Sequence, residues 1–195
     1  MVASLRDLPH PYHTLEEYYA LERVGEARYE YWDGEIVCTS GGTRQHATIS
    51  SNVHLLIGQQ LSGKGCRAYT SEIQIKTPIL PPYRYPDAAV VCGKPIFEKL
   101  AGFDVLTNPI LIVEGLSSGS AKVDRTEKRE AYQSLPSVME YLLIEQSAPH
   151  ITQYVRQPDG KWLRNDFGDL KTVVNLSSIE CTLALDAVYD DVEFD

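Results

Sequence analysis

The chain has 195 residues, 43% hydrophobic and 23% charged, a composition able to bury one sizeable core and read as a single domain over residues 1–195. Its formal net charge of -9 argues against a histone-like or coating protein, which gains affinity by neutralising phosphates with Lys and Arg. No apolar run reaches the ~18 residues of a membrane span and the opening MVASLRDLPHPYHTLEEYY resembles no signal peptide, so a cytoplasmic protein off the membrane is expected.

In chain order, Thr14 and Glu17 have capping-box spacing, and Leu15, Tyr18 and Leu21 continue as a short amphipathic helix. In RYEYWDGEIVCT the Asp33-Gly34 pair is hairpin turn chemistry, with Glu30 on the face opposite Tyr29 and Tyr31. From Gln45 to Leu61, Ile49, Val53, Leu56, Ile57 and Leu61 recur at helical spacing; His46 shares that stripe, and Gly63 and Gly65 end it. Three strands are expected in CRAYTSEIQIKT, YRYPDAAVVC and PILIVEGLS, each bounded by Pro, Gly or Ser clusters.

A polar helix follows from about Ser120, a candidate N-cap, to Ser134. Its inward stripe runs Ala121, Asp124, Lys128, Tyr132 and Leu135, which sets an acid and a base toward the sheet. MEYLLIE, HITQYVR, KWLRN and LKTVVNL then read as strands, with a hairpin at QPDGK. The expected class is α/β (α+β): a mixed sheet flanked by helices, with core order αβββαβ over about 45–146, an N-terminal helix and hairpin at 14–38, and further strands at 150–190. The four cysteines, Cys38, Cys66, Cys92 and Cys181, lie singly among apolar neighbours without the close pairs of zinc or redox sites, and buried free thiols are expected.

Two carboxylates border strands that are otherwise apolar: Asp87 at the entrance of AAVVC and Glu114 directly after ILIV. An isolated carboxylate there is costly and needs a cation, a hydrogen-bond network or a metal. Each feature alone has an ordinary explanation, Pro-Asp as a strand start and Asp124 with Lys128 as a surface i,i+4 pair. If the strands of Asp87 and Glu114 are neighbours, the two acids can share a metal while the next helix delivers Lys128 from the sheet-facing side, the layout of a metal-dependent phosphodiesterase. Magnesium, with manganese as substitute, suits a few carboxylate oxygens plus water.

These residues carry a resemblance. TLEEYYAL, YEYWDGEIVCTSGGTRQH, YPDAAVVCG, LIVEGLSSGS, DRTEKREAY and SVMEYLLIE, spread over nearly the whole chain, resemble the Uma-type family of restriction endonucleases within the PD-(D/E)XK nuclease superfamily. The resemblance implies a restriction-endonuclease-like fold and a magnesium-dependent endonuclease acting on DNA. It implies Asp87 and Glu114 as metal-binding acids, Lys128 on the following helix as the catalytic cation, and Glu30 and His46 lining the pocket. One departure stands out. The superfamily lysine, two residues after the second acid, is here Leu116, and Gly115 occupies a position where a branched apolar residue is usual.

Arg44, Lys122, Arg125 and Arg129 are candidate phosphate contacts, or else a solvated helix surface. The reading from a different class is a catalytically quiet nuclease-fold protein serving as a binding or regulatory module. Tyr154, Trp162, Val173 and Val174 complete the core or build the face of a homodimer.

Overall fold

A computed structural model of the chain describes residues 12–25, 27–32, 34–39, 41–78, 83–117 and 121–194, without the side chains of Trp32 and Lys122. Asp33 of the hairpin turn and the N-cap candidate Ser120 therefore lie outside the described residues. Helix α1 (Leu15–Val24) begins where Thr14 accepts from the Glu17 backbone N–H and Glu17 returns the bond, closing the capping box. It packs on a hairpin of β1 (Tyr29–Trp32) and β2 (Glu35–Cys38), in which Trp32 pairs with Glu35 across the turn.

Helix α2 (Arg44–Gln60) is capped by Thr43 and buries Ile49, Val53 and Ile57. The run CRAYTSEIQIKT forms two strands rather than one. A turn closed by the Ile73 N–H on the Thr70 carbonyl separates β3 (Cys66–Thr70) from β4 (Gln74–Lys76), and the two belong to different sheets. After β5 (Tyr83–Arg84) and β6 (Ala88–Cys92) comes a hairpin absent from the sequence reading, β7 (Phe97–Leu100) and β8 (Phe103–Leu106). Its turn is made by Ala101 and Gly102, both at positive φ.

Strand β9 (Leu111–Leu116) leads into a helix of three parts: α3 (Ala121–Val123), a π-turn, π1 (Asp124–Lys128), and α4 (Arg129–Gln133). The remaining elements are β10 (Glu140–Glu145), β11 (Ile151–Arg156), β12 (Trp162–Phe167), β13 (Val173–Leu176), β14 (Cys181–Ala184) and α5 (Leu185–Val188). The main sheet has the order β12-β11-β10-β9-β6-β3, with β9 and β10 parallel and the other pairs antiparallel. A second sheet, β5-β4-β8-β7, is inserted between core strands, so the expected αβββαβ order is kept with a four-stranded addition.

Strand alternation divides the core into two layers. Ala88, Val90, Leu111, Val113, Leu142 and Ile144 pack against α2 and the β13–β14 hairpin. Ala89, Val91, Ile112, Leu116, Tyr141 and Leu143 face Tyr132 and Leu135. Tyr154 and Val174 are core residues, whereas Val173 is 56% exposed. The cysteine expectation is corrected: Cys66 and Cys92, opposite each other in the β3–β6 register, form a disulfide, and of the two free cysteines Cys38 is exposed and Cys181 buried. No helix among the described residues is long and apolar enough to cross a membrane.

Candidate functional site

The register of β6 and β9 brings the two acids together. Ala88 pairs with Val113, so Asp87 stands one step beyond the end of β6, across from Glu114. Glu114 shares the face of Ile112 and Leu116, which turns it toward π1 and α4. It is 3% exposed, and its Oε1 accepts from the Tyr132 hydroxyl at 3.1 Å.

Lys128 reaches the same point from the helix. Its Nζ lies 3.2 Å from Asp124 Oδ1, 3.3 Å from Glu30 Oε1 and 3.5 Å from Glu114 Oε1. The π-turn carries both Asp124 and Lys128 on its buried side, a rare helical geometry that recurs at functional sites. Glu30 arrives from β1 and is held in place by the Tyr85 N–H at 3.0 Å. Tyr85 is itself fixed through its hydroxyl to Glu22, a buried carboxylate of α1 that also accepts from the Tyr29 N–H at 2.7 Å. A network from α1 thus sets both β1 and the segment entering Asp87.

Three carboxylates sharing one ammonium leave the cluster with excess negative charge. Burial pushes the Glu114 carboxyl well above the ordinary range; Lys128 opposes the shift, and Asp124, Asp87 and Glu30 add to it. For Lys128, burial pulls the other way but is outweighed by Glu114, Glu30 and Asp124, which hold the ammonium protonated. Arg84 is also buried nearby, its Nη1 donating to the carbonyls of Tyr31 and Tyr83, and its pKa is lowered by burial against the pull of Glu30.

Asp87 is bound differently. Its Oδ2 accepts from the Gly115 N–H at 2.6 Å and from His46 Nε2 at 3.0 Å. The His46 pKa is raised, first by this hydrogen bond to Asp87, which outweighs partial burial. Gly115 leaves room here: a Cβ would lie 3.0 Å from His46 Cδ2 and 3.2 Å from Asp87 Oδ2, so a larger residue would press on both side chains. The close backbone approach allowed by its missing side chain is made by His46 and Asp87.

Glu30, His46, Asp87, Glu114 and Lys128 all line one cleft of about 720 Å³, walled on its other sides by β2 and by Thr43, Tyr85 and Gln146. The arginines do not join them. Arg44 pairs with Glu193 at 3.3 Å, Arg125 with Glu145, and Arg129 lies over the Tyr154 ring, so none of the three lines the cleft. The Lys122 side chain lies outside the described set. Tyr132, Tyr85 and Glu22 were not singled out from the sequence. Tyr132 sat on the inward stripe that carries Lys128, but a tyrosine there reads as core until its hydroxyl is seen on Glu114.

Among the described residues no group of three or more His, Cys, Asp or Glu side chains is arranged to hold a metal by itself. Asp87 and Glu114 are the carboxylates that meet side by side at the cleft, and magnesium binds through one or two carboxylates plus water and substrate oxygens. The donor set suits that kind of site and not an all-protein cage.

The Uma2 family, described as "Putative restriction endonuclease", matches residues 15–187. The chain belongs to this family. Two Synechocystis proteins described as uncharacterized are similar to it: slr1290 is 31% identical over 194 residues, covering all of both chains, and sll1609 is 29% identical over 150 residues, covering 77% of this chain and 84% of its own. A crystal structure from Anabaena variabilis, described as "a putative nuclease belonging to DUF820", superposes with a TM-score of 0.68 at 17% identity, covering 84% of this chain and 90% of the other. The Uma2-family chain therefore has the restriction-endonuclease-like fold.

Proposed function

We propose that this Uma2-family protein is a magnesium-dependent endonuclease that hydrolyses DNA phosphodiester bonds. The observation that carries the proposal is the meeting of Asp87, Glu114 and the Lys128 amine, from two strands and a helix, at one cleft. The family description and the description of the Anabaena neighbour as a nuclease support the same reaction class. Asp87 and Glu114 would hold the cation, whose charge offsets the carboxylate excess around Lys128. When bound, magnesium supplies a water of lowered pKa and takes up charge on the phosphoryl oxygens.

The protein's own groups do the rest. His46 and the Gly115 N–H fix Asp87 through Oδ2, leaving its other oxygen for the cleft. The Tyr132 hydroxyl orients Glu114, and Glu30 and Asp124 hold the Lys128 ammonium beside it, where it stabilises negative charge developing on the phosphate. The test is cleavage of duplex, single-stranded and RNA substrates with and without magnesium. Magnesium-dependent cutting that is lost in Asp87→Ala and Lys128→Ala supports the reading; absence of cutting on every substrate, with no metal binding by calorimetry, defeats it.

One observation favours the quiet-module alternative. Arg44, Arg125 and Arg129 are paired with Glu193, Glu145 and Tyr154, and no arginine among the described residues lines the cleft. Metal binding without turnover would decide for that reading.

A further inference from the structure

Beside Asp87 lies a small, partly open void of about 10 Å³, bounded by Ile49, Ser50, Val53, Asp87, Val113 and Gly115. That is about the space one water molecule requires. Gly115 of β9 lines the void, at a point where a side chain would crowd His46 and Asp87. Ser50 lies one turn beyond His46 on α2, on the same face. Its Oγ is buried and has no hydrogen-bond partner among the described residues. Among the side chains that line it, those of Ser50 and Asp87 are polar and the rest are aliphatic.

We propose that Ser50 and Asp87 hold one ordered water in this void, which makes Ser50 a positioning residue for the Asp87 carboxylate. The water donates one hydrogen to the carboxylate and is bound on its other side by the Ser50 hydroxyl, satisfying a group that burial would otherwise leave unpaired. Asp87 is then held by three donors: the Gly115 N–H, His46 Nε2 and the water. The functional consequence rests on the reading of Asp87 as a metal-binding acid: a carboxylate held by several donors presents its free oxygen to the cleft in one orientation.

The test combines high-resolution crystal structures of the wild type and Ser50→Ala with manganese calorimetry on both. Ala is a good helix former, so the variant folds. One water peak within about 3 Å of both Ser50 Oγ and an Asp87 oxygen is expected in the wild type. In Ser50→Ala that peak is lost and manganese affinity falls about tenfold. A dry void in the wild type, or a variant that binds manganese as tightly as the wild type, overturns the proposal. Wild-type protein that binds no manganese defeats the metal reading instead, and the bridging water is then judged on the density alone.

Discussion

Replacing Lys128 by Met probes the cluster most sharply, because Met keeps the aliphatic stem and removes only the charge. In the native protein the amine faces oxygens at 3.2, 3.3 and 3.5 Å. At an effective dielectric of about 20, each contact is worth roughly 5 kcal/mol before costs. Desolvation of the ammonium and repulsion among Glu30, Asp124 and Glu114 cancel most of that sum, and breaking a buried ion pair typically costs about 3–5 kcal/mol net. The predicted loss is therefore about 3–5 kcal/mol. With a urea m-value near 2 kcal/mol per molar, the unfolding midpoint falls by about 2 M. Adding Asp124→Asn to the variant removes one of the carboxylates that the ammonium offset, so the double variant regains at least about 1 kcal/mol over Lys128→Met alone. A single variant as stable as the wild type, or a double variant whose losses simply add, would refute the reasoning.

The remaining predictions concern different links. Magnesium at a hundred times its Kd raises wild-type stability by about 2.7 kcal/mol, read as a thermal shift, whereas Asp87→Asn gains far less; equal shifts would detach the metal from Asp87. Denatured but unreduced protein titrates two thiols, Cys38 and Cys181, and reduction exposes the other pair. Because the disulfide closes a loop with a sequence separation of 26, its reduction or Cys92→Ser costs about 3–4 kcal/mol in urea unfolding, and no change in midpoint would contradict this. Asp166 is held down at about 2, first by its hydrogen bond to Arg164. A depressed folded pKa contributes stability above the unfolded value of 3.8 that is lost as pH falls through about 2, less than about 1 kcal/mol for so exposed a pair; carboxyl NMR showing an ordinary midpoint would refute it.

What could be read in the sequence follows from how local each signal is. Asp87 and Glu114 stood out because a charge beside a continuous apolar run is anomalous within a few residues, and the period of α3, π1 and α4 turned Asp124, Lys128 and Tyr132 inward together. The N-terminal hairpin and the capped α1 were equally local. The split of CRAYTSEIQIKT was not, since β3 and β4 part at a turn without Gly or Pro, and strand propensity continues across it. Nor was the Cys66–Cys92 bond, because two cysteines far apart in sequence meet only through the β3–β6 register. The arginines show a further limit: nearness in sequence to a site does not by itself place a side chain in its cleft, and Arg44, Arg125 and Arg129 meet Glu193, Glu145 and Tyr154.

The central claim is that two acids from separate strands and an amine from the following helix converge on one divalent cation. A wild-type crystal soaked in manganese measures this directly by anomalous scattering. The account predicts a peak about 2.1 Å from carboxylate oxygens of both Asp87 and Glu114, with the Lys128 amine beside it. A cleft without a peak, or a peak bound by neither acid, would contradict it.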